Sequence, residues 1–274
     1  MKRITARDNP RYQALKRLCQ SSGERRRCGL AVLDGMHLIE AYHQRYGPPP
    51  ELLVSDSGTQ RPEVAAYLKQ ADTRTTVLAD ALFASLAVVD TPSGVMAVVP
   101  QRRPTAAPDP TVDTVLLDGI QDPGNVGSIL RTAAAAGFDQ VVLAADCAQA
   151  WAPKTLRAAM GAHFRLDIHE GGDLPGFLAM FHGLTLATLP TAATSLYQAP
   201  LEGPLAWIFG SEGNGVSAPV AAMATRHLRI PLAAGTESLN VAAAAAVCLF
   251  ETVRRRTRGS DVASVGGQPD RGWL

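Results

Sequence analysis

Hydrophobic positions in the first hundred residues alternate between short apolar runs and longer amphipathic segments. The apolar runs predict strands, and the segments with a helical spacing of apolar side chains predict helices. The predicted strands are LAVLDG, ELLVSD, TTVLAD and GVMAVVP. The predicted helices cover Asn9–Cys19, Met36–Tyr46, Arg61–Gln70 and Ala81–Ala87. This alternation indicates an α/β domain.

The pattern is more regular in the second half of the chain. Its continuous apolar runs are TVLLDG, QVVLAA, FRLDIH, LTLATL, LAWIFG and HLRIPL. Runs without polar alternation are typical of strands buried on both faces, as in a parallel sheet covered by helices. A long final helix is predicted from about Leu239 to Arg256. The second half is therefore also predicted to be α/β.

The segment between the two halves, Pro100 to Asp113, reads PQRRPTAAPDPTVD and contains four prolines. Such a composition predicts a semi-extended linker. We expect a smaller α/β domain over residues 1–104, a linker over 105–112 and a larger domain over 113–258. Residues 259–274 are rich in glycine and are predicted to form a flexible tail.

Composition narrows the class of protein. Hydrophobic residues make up 46% of the chain and charged residues 19%, and the net charge is +1, which is typical of a folded globular protein. The four cysteines lack CxxC spacing and the histidines lack metal-ligand spacing, so we expect no disulfide framework and no metal. We find no signal peptide and no apolar run long enough to span a membrane, and we therefore predict a cytoplasmic protein without a membrane partner.

Charge is unevenly distributed along the chain. Residues 1–100 contain 13 Lys or Arg against 10 Asp or Glu, whereas the remaining residues contain 13 against 15. The run Arg25, Arg26 and Arg27 predicts a surface that contacts RNA phosphates. A solvated helix face fits the charge pattern equally well.

The first segment with candidate chemistry is LLDGIQDPGNVGSILRTAAAAGF, from Leu116 to Phe138. A strand is predicted to end at Asp118, and a helix is predicted to begin near Gly127. Asn125 could cap that helix. Arg131 lies beside the apolar stripe of the helix, so its side chain can emerge at a cleft or be an ordinary surface cation.

Two further segments combine strands with glycine-rich or polar loops. LAWIFGSEGNGVS contains Glu212 within a loop that could approach a ligand closely, but it matches neither a Walker loop nor GxGxxG. A dinucleotide-dependent oxidoreductase is therefore disfavoured. LRIPLAAGTESLNVAAAAAVCLFE places Ser238 and Asn240 at the start of an alanine-rich helix, where Ser238 could be the N-cap.

Together the three segments resemble the motifs of the SpoU (TrmH-like) branch of the SPOUT RNA methyltransferases. The matching patterns are N-x5-R, FGSEG-x-G, and IPL followed by SLNV, over about residues 113–256. The N-terminal half is similar to the substrate-binding domain of rRNA-modifying members, in ITARDNPRYQALKRL, LAVLDGMHLIEAY and DTPSGVMAVV. The resemblance implies a parallel sheet with a deep trefoil knot, S-adenosyl-L-methionine as cofactor, 2′-O-ribose methylation of rRNA, and a homodimer with its active site near the interface.

The resemblance also implies residue roles. Arginine is a poor general base because its pKa lies far above neutral pH, so we expect Arg131 to hold a phosphate and stabilise a developing alkoxide. Asn125 and Ser238 would orient Arg131 or the ribose, Glu212 would fix Arg131 or the second-motif loop, and Asn240 would hold the third-motif loop. The predicted cofactor contacts, largely through main-chain groups, are Leu189, Gly210, Gly213, Ile230 and Leu239.

Two alternatives share parts of this pattern. One is a tRNA 2′-O-methyltransferase, against which the appended N-terminal domain argues. The other is a non-catalytic RNA-binding module, against which the presence of every polar motif position argues.

Overall fold

A computed structural model describes residues 1–87 and 91–260, without the side chains of 258–260. Asp90, the first residue of the DTPSGVMAVV segment, therefore lies outside the described residues. So do residues 261–274 of the predicted tail, whereas the backbone of 259 and 260 belongs to the last helix.

The N-terminal half forms a mixed five-stranded sheet in the order β1-β4-β3-β5-β2. Strand β5 runs antiparallel to both of its neighbours, and the other pairs are parallel. The elements are β1 (Lys2–Ile4), α1 (Pro10–Gln20), α2 (Ser22–Cys28), β2 (Leu30–Asp34), α3 (Met36–Tyr46), β3 (Glu51–Ser55), α4 (Pro62–Gln70), β4 (Arg74–Leu78), α5 (Asp80–Ala84) and β5 (Val95–Pro100).

The C-terminal half forms a seven-stranded sheet in the order β10-β12-β9-β11-β6-β7-β8, in which every pair is parallel. The predicted parallel α/β fold is confirmed, while the threading of a knot stays a prediction. The elements are β6 (Thr114–Asp118), α6 (Pro123–Ala135), β7 (Gln140–Leu143), α7 (Pro153–Ala159), β8 (Asp167–Glu170), α8 (Leu174–Met180), β9 (Leu184–Thr188), β10 (Thr194–Ser195), β11 (Leu205–Gly210), α9 (Ala218–Met223), β12 (Arg226–Arg229) and α10 (Val241–Ser260).

The structure differs from the predicted strands at several ends. Strand β8 is shorter than FRLDIH, because Ala162–Phe164 forms a 3-10 turn. Strand β12 ends at Arg229, two residues before Pro231, which lacks a backbone N–H. Strands β1 and β10 were not predicted, since three and two residues are too few to show an alternating pattern.

The two sheets share one hydrophobic core. Tyr42 and Tyr46 of α3 pack edge-on against Phe164, with ring centroids 5.6 and 6.0 Å apart. The segment between the sheets is also anchored, because buried Gln140 donates to the carbonyl of Asp109 at 2.6 Å and accepts from its N–H at 3.0 Å. The predicted linker of 105–112 therefore contacts the second sheet, and the N-terminal half packs directly against α7 and the turn that follows it.

Helices α6 and α7 pack closely at Gly127. A Cβ atom at this position would lie 2.5 Å from the carbonyl oxygen of Thr155 and 2.6 Å from the Cβ of Ala158. Both neighbours belong to α7, and one of them is backbone. Only glycine therefore allows the observed approach, and it positions the helix that contains the first motif.

We expect Gly127→Ala to destabilise the protein by about 1–3 kcal/mol, because overpacking outweighs the better helix propensity of alanine. Urea denaturation measures the change in the free energy of unfolding. Ala135→Val is the matched control, since Ala135 is exposed at the end of the same helix and should change stability by less than about 0.5 kcal/mol. A Gly127→Ala protein as stable as the wild type would contradict this packing.

Candidate active site

The carboxyl ends of four neighbouring strands, β12, β9, β11 and β6, lie at one edge of the seven-stranded sheet. The first motif follows β6, the second follows β11 and the third follows β12. Leu189, a predicted cofactor contact, directly follows β9. Ligands of open parallel sheets bind outside the carboxyl ends of the strands, so the topology brings all the predicted loops to one candidate site.

The first motif is positioned by the start of α6. This helix begins at Pro123, four residues before the predicted start near Gly127. Its N-cap is Asp122, whose carboxylate accepts from the N–H of Asn125 at 2.8 Å. The interpretation of Asn125 as the cap is therefore wrong. Because Asp122 satisfies the helix terminus, the amide side chain of Asn125 is available for other contacts.

Asn125 joins all three motifs. Its Nδ2 donates to Oε1 of Glu212 in the second motif. Its Oδ1 accepts from Nδ2 of Asn240 in the third motif at 3.0 Å. We call Asn125, Glu212 and Asn240 the polar triad. Each of the three loops is therefore fixed to the other two through one central amide.

Asn240 also caps the last helix. Its Oδ1 accepts from the N–H groups of Ala242 at 2.9 Å and Ala243 at 3.2 Å. The alternative in which Ser238 is the N-cap is therefore wrong. Ser238 is exposed, as are all residues from 231 to 240, and it has no hydrogen-bond partner in the described part of the chain.

Arg131 lies apart from the polar triad. It is six residues beyond Asn125, which on an α-helix is about 9 Å along the axis and about 120° around it. Its side chain is exposed and has no ion-pair or hydrogen-bond partner among residues 1–87 and 91–257. Glu212 contacts Asn125 and not Arg131. Within one chain the structure therefore separates Arg131, the cation expected to hold a phosphate, from Asn125 and Glu212, which were expected to orient it.

The second-motif loop requires glycine at the end of β11. A Cβ on Gly210 would collide with the backbone of Gly215 and Val216. Ser211 and Gly215 exchange two main-chain hydrogen bonds of 3.1 and 2.8 Å, which close the loop. The loop thus folds back on its own strand. Gly213 is exposed at its tip, where a side chain would meet no neighbouring atom.

Asp118 is a site residue that the motif analysis did not assign. It ends β6, and its Oδ2 accepts from the N–H of Ser217 at 2.7 Å. This bond ties the far end of the second-motif loop to the strand that precedes the first motif. The sequence feature that could have identified Asp118 is its position as an acidic residue at the carboxyl end of a buried strand.

The other predicted cofactor residues border the same edge. The N–H of Leu189 donates to the carbonyl of Leu228 at 2.9 Å, which fixes the loop after β9 against β12. Leu189 and Ile230 are half-buried, and Leu239 is 39% exposed. The structure therefore places apolar side chains and closely packed backbone together at the carboxyl edge.

The three adjacent arginines of α2 have different environments. Arg25 is only 5% exposed and donates to three oxygens within the protein, so its assignment as an RNA contact is wrong. Arg27 is paired with Glu24, whose pKa this hydrogen bond lowers. Arg26 is exposed without a hydrogen-bond partner in the described residues. The surface predicted to contact RNA is thus reduced to Arg26 and Arg27.

A surface pocket of about 1130 Å³ lies at the opposite, amino-terminal edge of the sheet. Arg256 lines it and is paired with Asp113, while Arg255 donates to the carbonyl of Tyr197. The pocket contains none of the motif residues. We therefore place the candidate site at the carboxyl edge.

No group of three His, Cys, Asp or Glu side chains in residues 1–87 and 91–260 is arranged to hold a metal ion. Across the same ranges, no helix has the length and apolar character needed to span a bilayer.

Comparison with known proteins agrees with these motifs. The model of the SpoU rRNA Methylase family matches residues 113–250. A Synechocystis protein described as an uncharacterized tRNA/rRNA methyltransferase is 36% identical over 262 residues, covering 94% of this chain and 95% of its own length. The Bacillus subtilis 23S rRNA (guanosine(2553)-2'-O)-methyltransferase is 31% identical, covering 91% of this chain and 98% of its own.

A solved structure adds a comparison of the fold. The AdoMet-bound rRNA methyltransferase from Sinorhizobium meliloti superposes with a TM-score of 0.79 at 25% identity, covering 93% of this chain and 98% of its own. The likeness extends over both sheets. Because the family model matches residues 113–250 of 274 and full-length relatives exceed 30% identity, the chain belongs to the SpoU rRNA methylase family.

Proposed function

We propose that this protein transfers the methyl group of S-adenosyl-L-methionine to the ribose 2′-hydroxyl of an rRNA nucleotide. The observation that carries the proposal is the polar triad, which joins all three motifs at the carboxyl edge of the sheet. The Bacillus subtilis relative, whose name gives 23S rRNA as its substrate, aligns with 91% of this chain. That relative favours rRNA over the tRNA alternative.

The residues at the carboxyl edge fit the proposed cofactor. When bound, S-adenosyl-L-methionine supplies an electrophilic methyl group on a positively charged sulfur. The half-buried side chains of Leu189 and Ile230 offer an apolar slot for adenine. Gly210 holds the backbone of the second-motif loop close to its strand. Gly213 and Leu239 would contact the cofactor from the exposed side.

The polar triad acts by holding loops in place. Glu212 fixes the second-motif loop through Asn125, and Asn240 fixes the third-motif loop while capping α10. Much of the rate of a displacement reaction comes from alignment of the reacting groups. The triad would supply that alignment, and Ser238 would orient the ribose from the exposed third-motif loop.

We assign to Arg131 the role of holding an RNA phosphate and stabilising the developing alkoxide. A guanidinium has only hydrogen-bond donors and no acceptor, so Arg131 does not take the proton from the hydroxyl. Since Arg131 faces away from the triad of its own chain, we propose that the working form is a homodimer. In that dimer, Arg131 of one chain completes the triad site of the second.

The RNA would also contact the N-terminal half. Arg26 is exposed and Arg27 is largely exposed on α2, and both can neutralise phosphates. A cytoplasmic location stays a prediction.

We expect Arg131→Ala to lower the single-turnover rate of methyl transfer by roughly 100-fold, as when one transition-state donor is removed. S-adenosylhomocysteine affinity, measured by calorimetry, should change less than about twofold because Arg131 lies outside the cofactor loops. Lys154→Ala is the matched control, since Lys154 is an exposed cation on the neighbouring α7. A near wild-type rate for Arg131→Ala would contradict the assigned role.

Mixing two inactive variants tests whether the site is shared between chains. Arg131→Ala and Glu212→Ala proteins, unfolded and refolded together, should recover about one quarter of the wild-type activity, because half of the dimers are mixed and each has one intact site. No recovery would place Arg131 and the triad of the same chain in one site.

We expect Asn125→Asp to lower kcat/KM at pH 8 by at least about tenfold, because two carboxylates would face each other at Glu212. Adjacent carboxylates raise each other's pKa, so one binds a proton as the pH falls and restores a donor. Activity relative to wild type should therefore rise between pH 8 and pH 5. Gln121→Glu adds the same charge at an exposed position, and its activity relative to wild type should not change with pH. A flat ratio for Asn125→Asp would contradict the contact.

The proposed activity is tested by mapping ribose methylation in rRNA from cells with and without the gene. We expect one 2′-O-methyl group to be lost without the gene and restored by the purified protein with S-adenosyl-L-methionine. An unchanged rRNA map, with a methyl group lost from tRNA instead, would favour the alternative substrate.

A further inference from the structure

Arg25 is a buried cation between the two halves of the molecule. Its side chain lies in α2, and its Nε donates to Oε1 of Gln149 in the C-terminal half at 2.9 Å. Its Nη1 donates to the carbonyls of Leu18 and Cys19, both at 3.0 Å. No carboxylate of the described chain lies within ion-pair distance of it. A buried charge without a counter-ion is costly unless oxygens surround it, so these three acceptors determine where Arg25 can lie.

Two of the acceptors belong to the end of α1. Leu18 and Cys19 lie in its last turn, where carbonyl groups lack helical partners and the helix dipole is negative. Arg25 therefore fixes the angle between α1 and α2. The position of Arg26 on the exposed side of α2 is fixed with it.

The third acceptor reaches the C-terminal half. Gln149 is itself buried, and its Nε2 donates to the carbonyl of Ser22 at 3.4 Å. One amide thus contacts both the first residue of α2 and the guanidinium of Arg25. This pair ties α2 to the loop between β7 and α7.

That loop is held on several sides. The main-chain carbonyl of Gln149 accepts from the hydroxyl of Thr155 at 2.9 Å. The N–H of Ala150 donates to Glu170 at 2.8 Å, and the carbonyl of Ala150 accepts from Nε2 of His163 at 2.7 Å. Burial lowers the pKa of His163 to about 4, so its ring is neutral at physiological pH. Because the loop is fixed at these points, a displacement of Gln149 displaces the rest of the loop with it.

The same loop contacts the segment that precedes the first motif. The N–H of Ala148 donates to the carbonyl of Ile120 at 2.8 Å. Ile120 lies two residues before Asp122, the N-cap of α6. A continuous series of hydrogen bonds and short chain segments therefore connects Arg25 to the helix that contains Asn125.

We propose that Arg25 is a positioning residue that, through Gln149, holds the RNA-contacting face of α2 at a fixed place relative to the first motif. This proposal rests on the proposed function, since it concerns where RNA bound at Arg26 enters the methyl-transfer site. RNA bound at α2 then reaches Asn125 without any further ordering of the two halves of the protein. This favours both the binding of RNA and the alignment of its ribose at the methyl-transfer site.

Gln149→Ala is the main test because it keeps every charge and leaves Arg25 its two carbonyl acceptors. We expect kcat/KM for rRNA from gene-deleted cells to fall about tenfold, the scale of a hydrogen bond to a charged group. S-adenosylhomocysteine affinity should stay within about twofold of wild type, which shows that the catalytic half is folded. Gln149→Glu keeps an acceptor for Arg25, so its kcat/KM should lie within about threefold of the wild-type value.

Arg26→Gln is the matched control for charge. It should reduce the slope of log affinity against log salt concentration by about 0.7–0.9, because one phosphate contact is lost. Gln149→Ala should leave that slope unchanged. Arg25→Gln should also leave it unchanged, although it removes the same charge from the same helix.

The outcomes separate the two proposals. If the wild type methylates rRNA and Gln149→Ala equals it, or Gln149→Glu restores nothing, the positioning role is overturned. It is also overturned if Arg25→Gln reduces the salt slope as Arg26→Gln does, since Arg25 would then contact phosphate. If the wild type methylates no rRNA, the proposed function fails and the positioning role fails with it.

Discussion

The site depends on one amide side chain that both donates and accepts a hydrogen bond. Asn125 donates to Glu212 and accepts from Asn240, so a single residue fixes the loops that follow three different strands. A carboxylate in place of Asn125 could not donate to Glu212. The contact is possible only because Asp122 caps α6 and leaves the side chain of Asn125 free. The positions of the loops after β11 and β12 therefore depend on both hydrogen bonds of Asn125, and these bonds depend on the capping of α6 by Asp122.

Parallel topology explains why residues so far apart in sequence meet. Strands β12, β9, β11 and β6 are neighbours in the sheet, so their carboxyl ends share one edge. Gly127 lets α6 approach α7, and Gly210 lets the second-motif loop fold back on its strand. Burial of apolar strands thus fixes the frame, and a few glycines and polar side chains define the site within it.

Much of this arrangement could be predicted from the sequence. Apolar runs predicted ten of the twelve strands in residues 1–87 and 91–260. The resemblance to the SpoU motifs pointed to the residues of the polar triad. The start of α6 was misplaced, although Asp122 followed by Pro123 is the expected pattern of an N-cap and first helical residue. Asp118 was not identified, because its partner is the backbone N–H of Ser217, and every residue except proline has such a group whatever its side chain. Neither periodicity nor spacing indicates chain threading, and the knot was expected from the resemblance alone.

The arginine run shows where composition misleads. Consecutive residues on a helix point about 100° apart, so three adjacent arginines cannot all face solvent when one side of the helix packs against the protein. Arg25 occupies that side, and the charge count gives no sign of it. Arg131 presents the opposite case, since its exposure agrees with the sequence but its separation from Asn125 becomes evident only in three dimensions.

We propose that the polar triad assembles one cofactor site at the carboxyl edge of the sheet. A crystal structure of the protein with S-adenosylhomocysteine tests it most directly. We expect ligand density between the loops after β9, β11 and β12, bordered by Leu189, Gly210 and Ile230, with the contacts of Asn125 intact. Density at the opposite edge, near Asp113 and Arg256, or a site in which Asn125 contacts neither Glu212 nor Asn240, would contradict it.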